Sequence, residues 1–266
     1  MQSEDLAKRI RLHAIDMVNH ARASHIGSIL SETDIVAVLY TDIMNYDPNN
    51  PSFEERDRFV LSKGHAGVAI YCALAEMGFF SIDELKKYGD DGSLFSCHVS
   101  HKGIPGVEVS TGSLGHGCSI ACGMALHAKK RKKRYRVYTL LGDGECNEGT
   151  VWEMALLASQ NKLENLTVII DRNEMQAMGY CKDIINTEPF ASKWESFGWN
   201  VIEVDGHNHD DLRQALKTHV TDKPTVIIAH TIKGKGVSFM ENELLWHYRD
   251  PQGEYYDRAK EELGRL

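Results

Sequence analysis

Several features are scarce or missing in this 266-residue sequence, and each absence argues against a class of protein. No apolar run approaches the roughly 20 residues of a membrane-spanning helix, so no membrane association is expected. The 38 acidic residues outnumber the 30 lysines and arginines, and the formal charge of −8 argues against general nucleic-acid binding. No repeat, low-complexity stretch or Pro/Gly/Ser-rich linker divides the chain, so residues 1–266 are predicted to form a single domain.

The cysteines lack any paired spacing. Six are present, and none belongs to a CxxC motif. This pattern predicts reduced thiols, as in a cytoplasmic protein, and no disulfide framework. The first ten residues, MQSEDLAKRI, are polar and contain no export signal. We therefore expect a cytoplasmic location.

One basic run, at residues 129–134, interrupts the acidic background. It falls where a predicted helix ends and a predicted strand begins. Cations are favourable at the carboxyl end of a helix, and a surface turn tolerates them. We interpret the run as a solvated turn without a role in nucleic-acid binding, while contact with an acidic partner surface is the alternative.

Helical and strand patterns alternate along the chain. Apolar residues at helical spacing predict helices at 4–21, 31–43, 67–77, 115–128, 148–162 and 208–218. Short apolar runs predict strands at 58–61, 136–141, 166–170, 201–204 and 225–228. Ser31 and Asp34 fit a capping box for the second helix. The alternation implies an α/β fold, a doubly wound parallel sheet with helices on both faces.

Two polar residues follow consecutive strands within the stretch 141–173. The strand at 136–141 runs into a Gly-Asp-Gly turn around Asp143, where the glycines permit close approach of a ligand. The strand at 166–170 is followed by Asn173. A right-handed crossover makes the two strands parallel neighbours, so both residues are expected at the carboxyl edge, where open α/β sheets bind ligands.

The chemistry of these two side chains predicts a metal site. A carboxylate, an amide oxygen and a nearby main-chain carbonyl are hard oxygen ligands, which suit Mg²⁺ or Ca²⁺ with positions left open for phosphate oxygens. Zinc is poorly matched by such a set. The simpler alternative is that Asp143 only caps a helix and Asn173 only turns the chain.

The Gly-Asp-Gly turn followed by Asn thirty residues later resembles the thiamine-diphosphate-binding signature of the transketolase and 2-oxo-acid dehydrogenase superfamily. Three further segments resemble transketolase in the correct order: RDRFVLSKGH at 56–65, GVEVSTGSLG at 106–115 and KGKGVSFMEN at 233–242. The resemblance runs from about Leu6 to about His247. It implies the fold of the domain that binds the cofactor's diphosphate.

Transketolases are usually more than twice as long as these 266 residues. The resemblance therefore implies the amino-terminal subunit of a split transketolase. A separately encoded carboxyl-terminal subunit would supply the pyrimidine-binding domain and the glutamate that activates the cofactor. The family also implies a heterotetramer with two copies of each chain, because the cofactor sites lie between chains. The implied cofactors are thiamine diphosphate and Mg²⁺, or Ca²⁺ in its place.

By this resemblance, six residues would bind the cofactor: His65, Gly112, Leu114, Asp143, Gly144 and Asn173. His65 would contact the diphosphate, and the Gly144 main-chain N–H would donate to one of its oxygens. The loop that contains Leu114 would pack on the cofactor rings. The metal would be bound by Asp143, Asn173 and the main-chain carbonyl of Met175.

Four residues are implied to have catalytic roles: His25, His98, Glu148 and His247. His25 and His98 would face the hydroxyl and carbonyl oxygens of the substrate, and His247 would reach both regions of the site. The alternative for each histidine is a surface or structural role. Glu148 matches the family acid that couples to the partner's glutamate, and its alternative is stabilisation of a helix amino terminus.

The implied reaction transfers a two-carbon ketol unit from a ketose, or ketose phosphate, to an aldose acceptor. The family usually has glycine at the positions of Ser24 and Tyr248. Both residues border the substrate side of the site, so an unusual sugar substrate is a further possibility. One alternative is the alpha chain of a 2-oxo-acid dehydrogenase, which the segments 106–115 and 233–242 disfavour. The other is a non-catalytic cofactor-binding or scaffold protein.

Overall fold

A five-stranded sheet forms the centre of the fold. The computed structural model describes all residues 1–266. The strands are β1 (Arg58–Leu61), β2 (Val137–Gly142), β3 (Leu166–Arg172), β4 (Asn200–Asp205) and β5 (Thr225–His230). Their order is β1-β2-β3-β5-β4, and every neighbouring pair is parallel. All five predicted strands are present, and the parallel α/β sheet is confirmed.

The strands differ in composition according to their place in the sheet. β2 is buried from Val137 to Leu141, and β3 is buried from Leu166 to Asp171, as expected for central strands covered on both faces. β4 lies at an edge and is partly exposed, and it includes Glu203. The apolar runs that predict the central strands therefore reflect burial on two sides.

Nine α-helices surround the sheet. They are α1 (Ser3–Ala21), α2 (Ile26–Val38), α3 (Gly67–Glu76), α4 (His116–Lys130), α5 (Gly149–Gln160), α6 (Cys181–Ile184), α7 (Phe190–Ser196), α8 (His209–Lys217) and α9 (Glu254–Gly264). Five of the six predicted helices agree with these bounds to within two residues. The short helices α6 and α7 and the last helix α9 were not predicted.

Two apolar cores lie on opposite faces of the sheet. The larger core joins residues of α1, α2, α3, α8 and α9 to Leu140 and Ile169. The smaller core joins residues of α4, α5 and α7 to Leu141 and Ile170. Successive residues of one strand point to opposite faces, so neighbours along β2 and β3 enter different cores. The doubly wound arrangement is thereby confirmed.

Helix α2 begins earlier than the prediction of 31–43. It spans Ile26–Val38, so Ser31 lies inside the helix and the predicted capping box is wrong. Ser31 is fully buried, and its hydroxyl donates to Asp171 Oδ2 at 2.6 Å. Asp34 is also buried and forms an ion pair with an arginine of α1. Both polar residues bind partners in distant parts of the chain. Ser and Asp are also the residue types typical of helix ends, so the local sequence resembles a capping box that is not formed.

The basic run lies at the surface, as predicted. Helix α4 ends at Lys130, and the turn that follows is exposed. Lys133 pairs with Glu54 at 2.9 Å and with Glu55 at 3.1 Å. All six cysteines are free thiols. No helix combines the length and the apolar composition that crossing a lipid bilayer requires.

Candidate active site

The ends of β2 and β3 bring Asp143 and Asn173 to the same edge of the sheet. Gly142 of β2 pairs with Asp171 of β3, so the chain leaves both strands at the same level. Asp143 and Asn173 are each only 7% exposed. Strand β5, which pairs with β3, ends at this edge too and leads into Lys233.

Main-chain N–H groups hold the carboxylate of Asp143. Oδ1 accepts a hydrogen bond from Gly144 at 2.7 Å, and Oδ2 accepts one from Glu174 at 2.6 Å. Burial and the nearby Asp171 carboxylate nevertheless raise the pKa of Asp143 to about 6. A buried carboxylate that forms no ion pair with any side chain is well suited to a divalent cation.

Asn173 and Met175 provide further oxygen atoms beside Asp143. The Asn173 amide donates to Asp171 Oδ2 at 3.1 Å, and its Oδ1 accepts the Met175 N–H at 3.1 Å. One carboxylate, one amide and one main-chain carbonyl fit Mg²⁺ or Ca²⁺ by their chemistry. No group of three or more His, Cys, Asp or Glu side chains forms a different metal cluster in the chain.

Lys233 is a residue of this site that the sequence analysis did not assign. Its side chain is 2% exposed, and its ammonium donates to the Met175 carbonyl at 3.3 Å. Burial, followed by repulsion from the Lys63 ammonium, lowers the pKa of Lys233 to about 8. A buried cation beside the oxygens predicted to bind the metal is suited to an anionic ligand. The KGKG motif, which begins at Lys233, could have indicated this role, but the sequence analysis uses it only as evidence for the family.

A second buried lysine, Lys63, lies beneath the site between two acids. Its ammonium pairs with Asp171 and lies 3.1 Å from Glu32 Oε2, which is the only polar contact of the Glu32 carboxyl. Although burial opposes ionisation, Lys63 holds the pKa of Asp171 below its ordinary value. Burial, together with the nearby Asp171 carboxylate, raises the pKa of Glu32 to about 8, although the shared Lys63 ammonium opposes this shift. The sequence analysis did not predict this group of Lys63, Asp171 and Glu32. The only sequence signal for it was a glutamate within the mainly apolar helix α2.

Glu145 joins two loops that border the site. Its Oε1 accepts the Gly115 N–H at 2.8 Å and the Ser62 hydroxyl, and its Oε2 accepts the Gly142 N–H at 3.1 Å. Gly115 follows Leu114, which is half-buried, and Gly142 is the first residue of the Gly-Asp-Gly turn. One buried acid therefore sets the spacing between two segments predicted to bind the cofactor. Glu145 was not predicted, although it directly follows the Gly-Asp-Gly turn.

Close main-chain packing brings the other predicted cofactor residues together. A Cβ at Gly112 would lie 2.9 Å from the ring of His98, and a Cβ at Gly64 would lie 2.4 Å from the Thr111 carbonyl oxygen. The loop around Gly112 therefore packs against the turn that carries His65. No side chain fits at Gly64, which explains the glycine there.

The structure brings the four predicted histidines into one cluster. The ring centroid of His25 lies 5.1 Å from that of His65, 5.8 Å from that of His98 and 5.1 Å from that of His247. His98 is the most exposed of the four. The Nδ1 atom of His247 is buried and has no hydrogen-bond partner, so it is available to a ligand.

Burial keeps three of these rings, those of His25, His65 and His247, neutral. Burial, aided by His98 and Lys233, lowers the pKa of His25 to about 4. Burial, aided by Lys233, lowers the pKa of His247 to about 3, and burial holds the pKa of His65 well below its ordinary value. A neutral imidazole donates a hydrogen bond from one ring nitrogen and can accept a hydrogen bond or a proton at the other.

Glu148 lies directly before α5. Its side chain is exposed and forms no capping hydrogen bond with the helix. It packs closely against Gly115, where a Cβ would lie 2.8 Å from the Glu148 Cβ. The carboxylate is therefore free to meet a group from outside this chain.

Comparison with known proteins adds an independent line of evidence. The family model "Transketolase, thiamine diphosphate binding domain" matches residues 2–264. A subunit of apulose-4-phosphate transketolase from Phocaeicola vulgatus is 41% identical over 265 residues, which cover 99% of this chain and 92% of that protein. A subunit of 6-deoxy-6-sulfo-D-fructose transketolase from a Clostridium species is 40% identical over 259 residues, covering 97% and 94%.

Solved structures give the same result at the level of the fold. Transketolase from Campylobacter jejuni superposes with a TM-score of 0.92 at 32% identity, covering 98% of this chain and 42% of that one. Transketolase from Leishmania mexicana gives a TM-score of 0.92 at 31% identity, covering 99% and 41%. The chain thus spans about two fifths of the length of these two proteins.

Proposed function

Because this chain belongs to the transketolase family and is a thiamine-diphosphate-binding transferase subunit, we propose that the carboxyl edge of its sheet holds the diphosphate together with Mg²⁺. Relatives named as single subunits of transketolases match it over nearly their whole length, so it is the amino-terminal subunit of a transketolase split between two chains. Residues 1–266 form one diphosphate-binding domain in this proposal.

The metal is bound by Asp143, Asn173 and the main-chain carbonyl of Met175. One observation carries this assignment: a buried Asp143 without an ion pair lies at the shared end of two central strands, beside the buried Lys233. The oxygen ligands suit Mg²⁺, and Ca²⁺ is the alternative. The buried Lys233 ammonium, which donates to the Met175 carbonyl, would supply positive charge to a diphosphate held at this edge.

The remaining cofactor contacts follow from the loops around the site. The Gly144 N–H and His65 contact the diphosphate, whereas Gly112 and Leu114 pack on the cofactor rings. The close packing of Gly112 on His98 supports this assignment, because it brings the cofactor loop to the histidine cluster. Bound thiamine diphosphate supplies the nucleophilic carbon and the electron sink that C–C bond cleavage needs.

The histidines of this chain orient the sugar and move protons. His25 and His98 hold the hydroxyl and carbonyl oxygens of the ketose, and neutral His25 accepts the hydroxyl proton as the C–C bond breaks. His247 lies within reach of both regions, and its unpartnered Nδ1 supports a contact with substrate or cofactor. The two-carbon ketol unit then passes to an aldose.

The substrate is a ketose or ketose phosphate outside the ordinary range of the family. The relatives are named for apulose-4-phosphate and for 6-deoxy-6-sulfo-D-fructose, which differ from one another in their anionic group. Tyr248 supports a specialised substrate, because its exposed ring packs edge-to-face against His247 with centroids 4.9 Å apart. A glycine at this position would leave the entrance wider.

A separate carboxyl-terminal subunit completes the site, and two copies of each chain form a heterotetramer. Exposed apolar residues support such a partner: Leu156 and Leu157 lie on α5, and Leu245 and Tyr248 lie beside the histidine cluster. The exposed Glu148 then couples to the partner's activating glutamate. We place the complex in the cytoplasm, in agreement with its free thiols.

The decisive experiment uses the chain copurified with its partner subunit. Asp143→Ala should abolish Mg²⁺-dependent binding of thiamine diphosphate, measured by calorimetry, and with it ketol transfer between sugars. Asp91→Ala removes an exposed acid that forms no ion pair, and it should change neither quantity. Unchanged cofactor binding by the Asp143→Ala complex would mean that the metal site is assigned wrongly.

A further inference from the structure

A buried ionic network lies outside the proposed cofactor site. It joins Arg11 of α1 and Asp34 of α2 to His207 and His209, which follow β4. The Arg11 guanidinium donates two hydrogen bonds to the Asp34 carboxylate, with Nη1 to Oδ1 at 2.9 Å and Nη2 to Oδ2 at 2.6 Å. Such bidentate pairs hold both partners in a fixed orientation. The proposed reaction uses none of these four residues.

His207 connects this network to the loop after β5. Its Nδ1 lies 2.7 Å from Asp34 Oδ2, and its Nε2 lies 2.8 Å from the main-chain nitrogen of Ile232. Because the Ile232 N–H is the donor, Nε2 must accept and Nδ1 must carry the proton. Asp34 therefore fixes both the tautomer and the orientation of the ring, as carboxylates do for functional histidines elsewhere.

Arg11 contacts the same loop at a second point. Its Nε donates to the Lys235 carbonyl at 3.3 Å. The network thus forms hydrogen bonds with the main chain at Ile232 and at Lys235, and Lys233 lies between these two points. The side chain of Lys233 has only one hydrogen bond of its own, to the Met175 carbonyl.

We propose that Asp34, acting through His207 and Arg11, positions Lys233 for the cofactor diphosphate. This inference rests on the proposed function, in which the Lys233 ammonium faces the diphosphate. A buried cation is productive only at a fixed place, because a small displacement of the main chain moves its ammonium away from the ligand. Asp34, His207 and Arg11 are positioning residues in this scheme, since none of them reaches the cofactor site.

His209 provides a control within the same network. Its Nε2 lies 3.1 Å from Asp34 Oδ1, and its Nδ1 lies 2.8 Å from the Ser3 hydroxyl, but it forms no hydrogen bond with the loop. Loss of either imidazole removes one hydrogen bond from Asp34. Only loss of the His207 ring also releases the Ile232 N–H.

The test compares His207→Asn, His209→Asn and His207→Gln in the complex with the partner subunit. Asparagine at 207 can still donate to Asp34 but cannot reach Ile232, whereas glutamine can span both. We expect His207→Asn to raise the Kd for thiamine diphosphate at saturating Mg²⁺ by about tenfold, because the loss of one hydrogen bond typically changes an affinity by about that factor. His209→Asn should leave that Kd within about twofold, and His207→Gln should restore most of the affinity.

Lys233→Met separates failure of the inference from failure of the proposed function. If Lys233 contacts the diphosphate, Lys233→Met weakens cofactor binding, and adding His207→Asn has little further effect. A normal Kd for Lys233→Met would refute the contact itself and the positioning proposal with it. A weakened Lys233→Met complex together with normal binding by His207→Asn, or equal losses from the two asparagine variants, would overturn the positioning proposal alone.

Hydrogen exchange of the free chain provides a readout that does not involve the cofactor. The Ile232 amide should exchange faster in His207→Asn than in His209→Asn, because only the first variant loses its acceptor. Equal exchange rates at Ile232 would show that His207 does not hold the loop.

Discussion

Among single residues, Glu32 shows how its neighbours determine the charge of a buried acid. The ordinary pKa of 4.5 rises to about 8 in the folded chain, because burial and Asp171 outweigh the shared Lys63. The folded state therefore keeps a proton that the unfolded state loses as pH rises from about 4.5 to 8. The contribution of Glu32 to stability falls across this window.

The variant Glu32→Gln has no such titration and should gain stability relative to the wild type as pH rises from 5 to 8. Urea unfolding of the free chain at both pH values measures the difference. Glu84→Gln, at an exposed site, is the control and should follow the wild type. The same stability difference between Glu32→Gln and the wild type at both pH values would contradict a protonated Glu32.

His25 combines a proposed catalytic ring with an unusual backbone. Its φ of 74° lies in the left-handed region, and its N–H donates to the His247 carbonyl at 2.8 Å. Asparagine tolerates this conformation better than alanine does. We expect His25→Asn to keep the stability of the chain, and His25→Ala to lose about 1 kcal/mol more.

Both His25 variants should lose ketol transfer in the complex, because each lacks the imidazole. Thermal unfolding and turnover measured on the same preparations separate the two effects. Normal turnover in His25→Asn would exclude the ring from the reaction.

Among the secondary-structure elements, α4 contains two glycines, and only the first lies in close contact with a neighbouring segment. A Cβ at Gly117 would lie 2.6 Å from the Ser62 Cα, whereas a Cβ at Gly123 would meet nothing within 4 Å. Gly117→Ala should destabilise the chain by about 1–3 kcal/mol through overpacking. It should also weaken cofactor binding, because the main chain at Ser62 leads directly into Lys63.

Gly123→Ala is the matched control for α4. Alanine is the better helix former, so this variant should stabilise the free chain by about 0.5–1 kcal/mol. Denaturant unfolding of both variants tests the pair. Similar effects of the two substitutions would mean that α4 does not depend on its approach to β1.

For the molecule as a whole, the exposed apolar surface of α5 leads to a prediction about assembly. Leu156 and Leu157 are 59% and 49% exposed, and α5 begins beside the proposed interface residue Glu148. Leu156→Glu should weaken association with the partner subunit without unfolding the chain, as measured by analytical ultracentrifugation. Ile82→Glu, at an exposed apolar site near α3, should assemble normally. Equal assembly of both variants would place the interface elsewhere.

The family comparison decides between the interpretations that the sequence analysis left open. A match to the transketolase model across residues 2–264 favours transketolase over the alpha chain of a 2-oxo-acid dehydrogenase. The relatives named as transketolase subunits agree with an enzyme rather than a scaffold. Composition and periodicity do not distinguish these classes, because all of them can share one α/β architecture.

The strands, most helix bounds and the common edge of Asp143 and Asn173 could be predicted from the order of the residues alone. These features follow from local periodicity and from the right-handed crossover, which act over one βαβ unit. The family motifs also named the four histidines, although nothing local to His25 or His247 predicts that their rings lie 5.1 Å apart.

Which charged groups meet in the interior depended on the packing of the whole chain. Contacts between segments far apart in the chain decided these features. They include the ion pairs of Lys63, the hydrogen bonds of Glu145 and the link from Asp34 to the Lys233 loop. The start of α2 was also decided by packing and not by the local pattern. A buried polar residue is explained by its partner, and a local pattern contains no information about a partner many residues away. Helical periodicity therefore places Ser31 and Asp34 at a helix end, whereas burial places them inside α2.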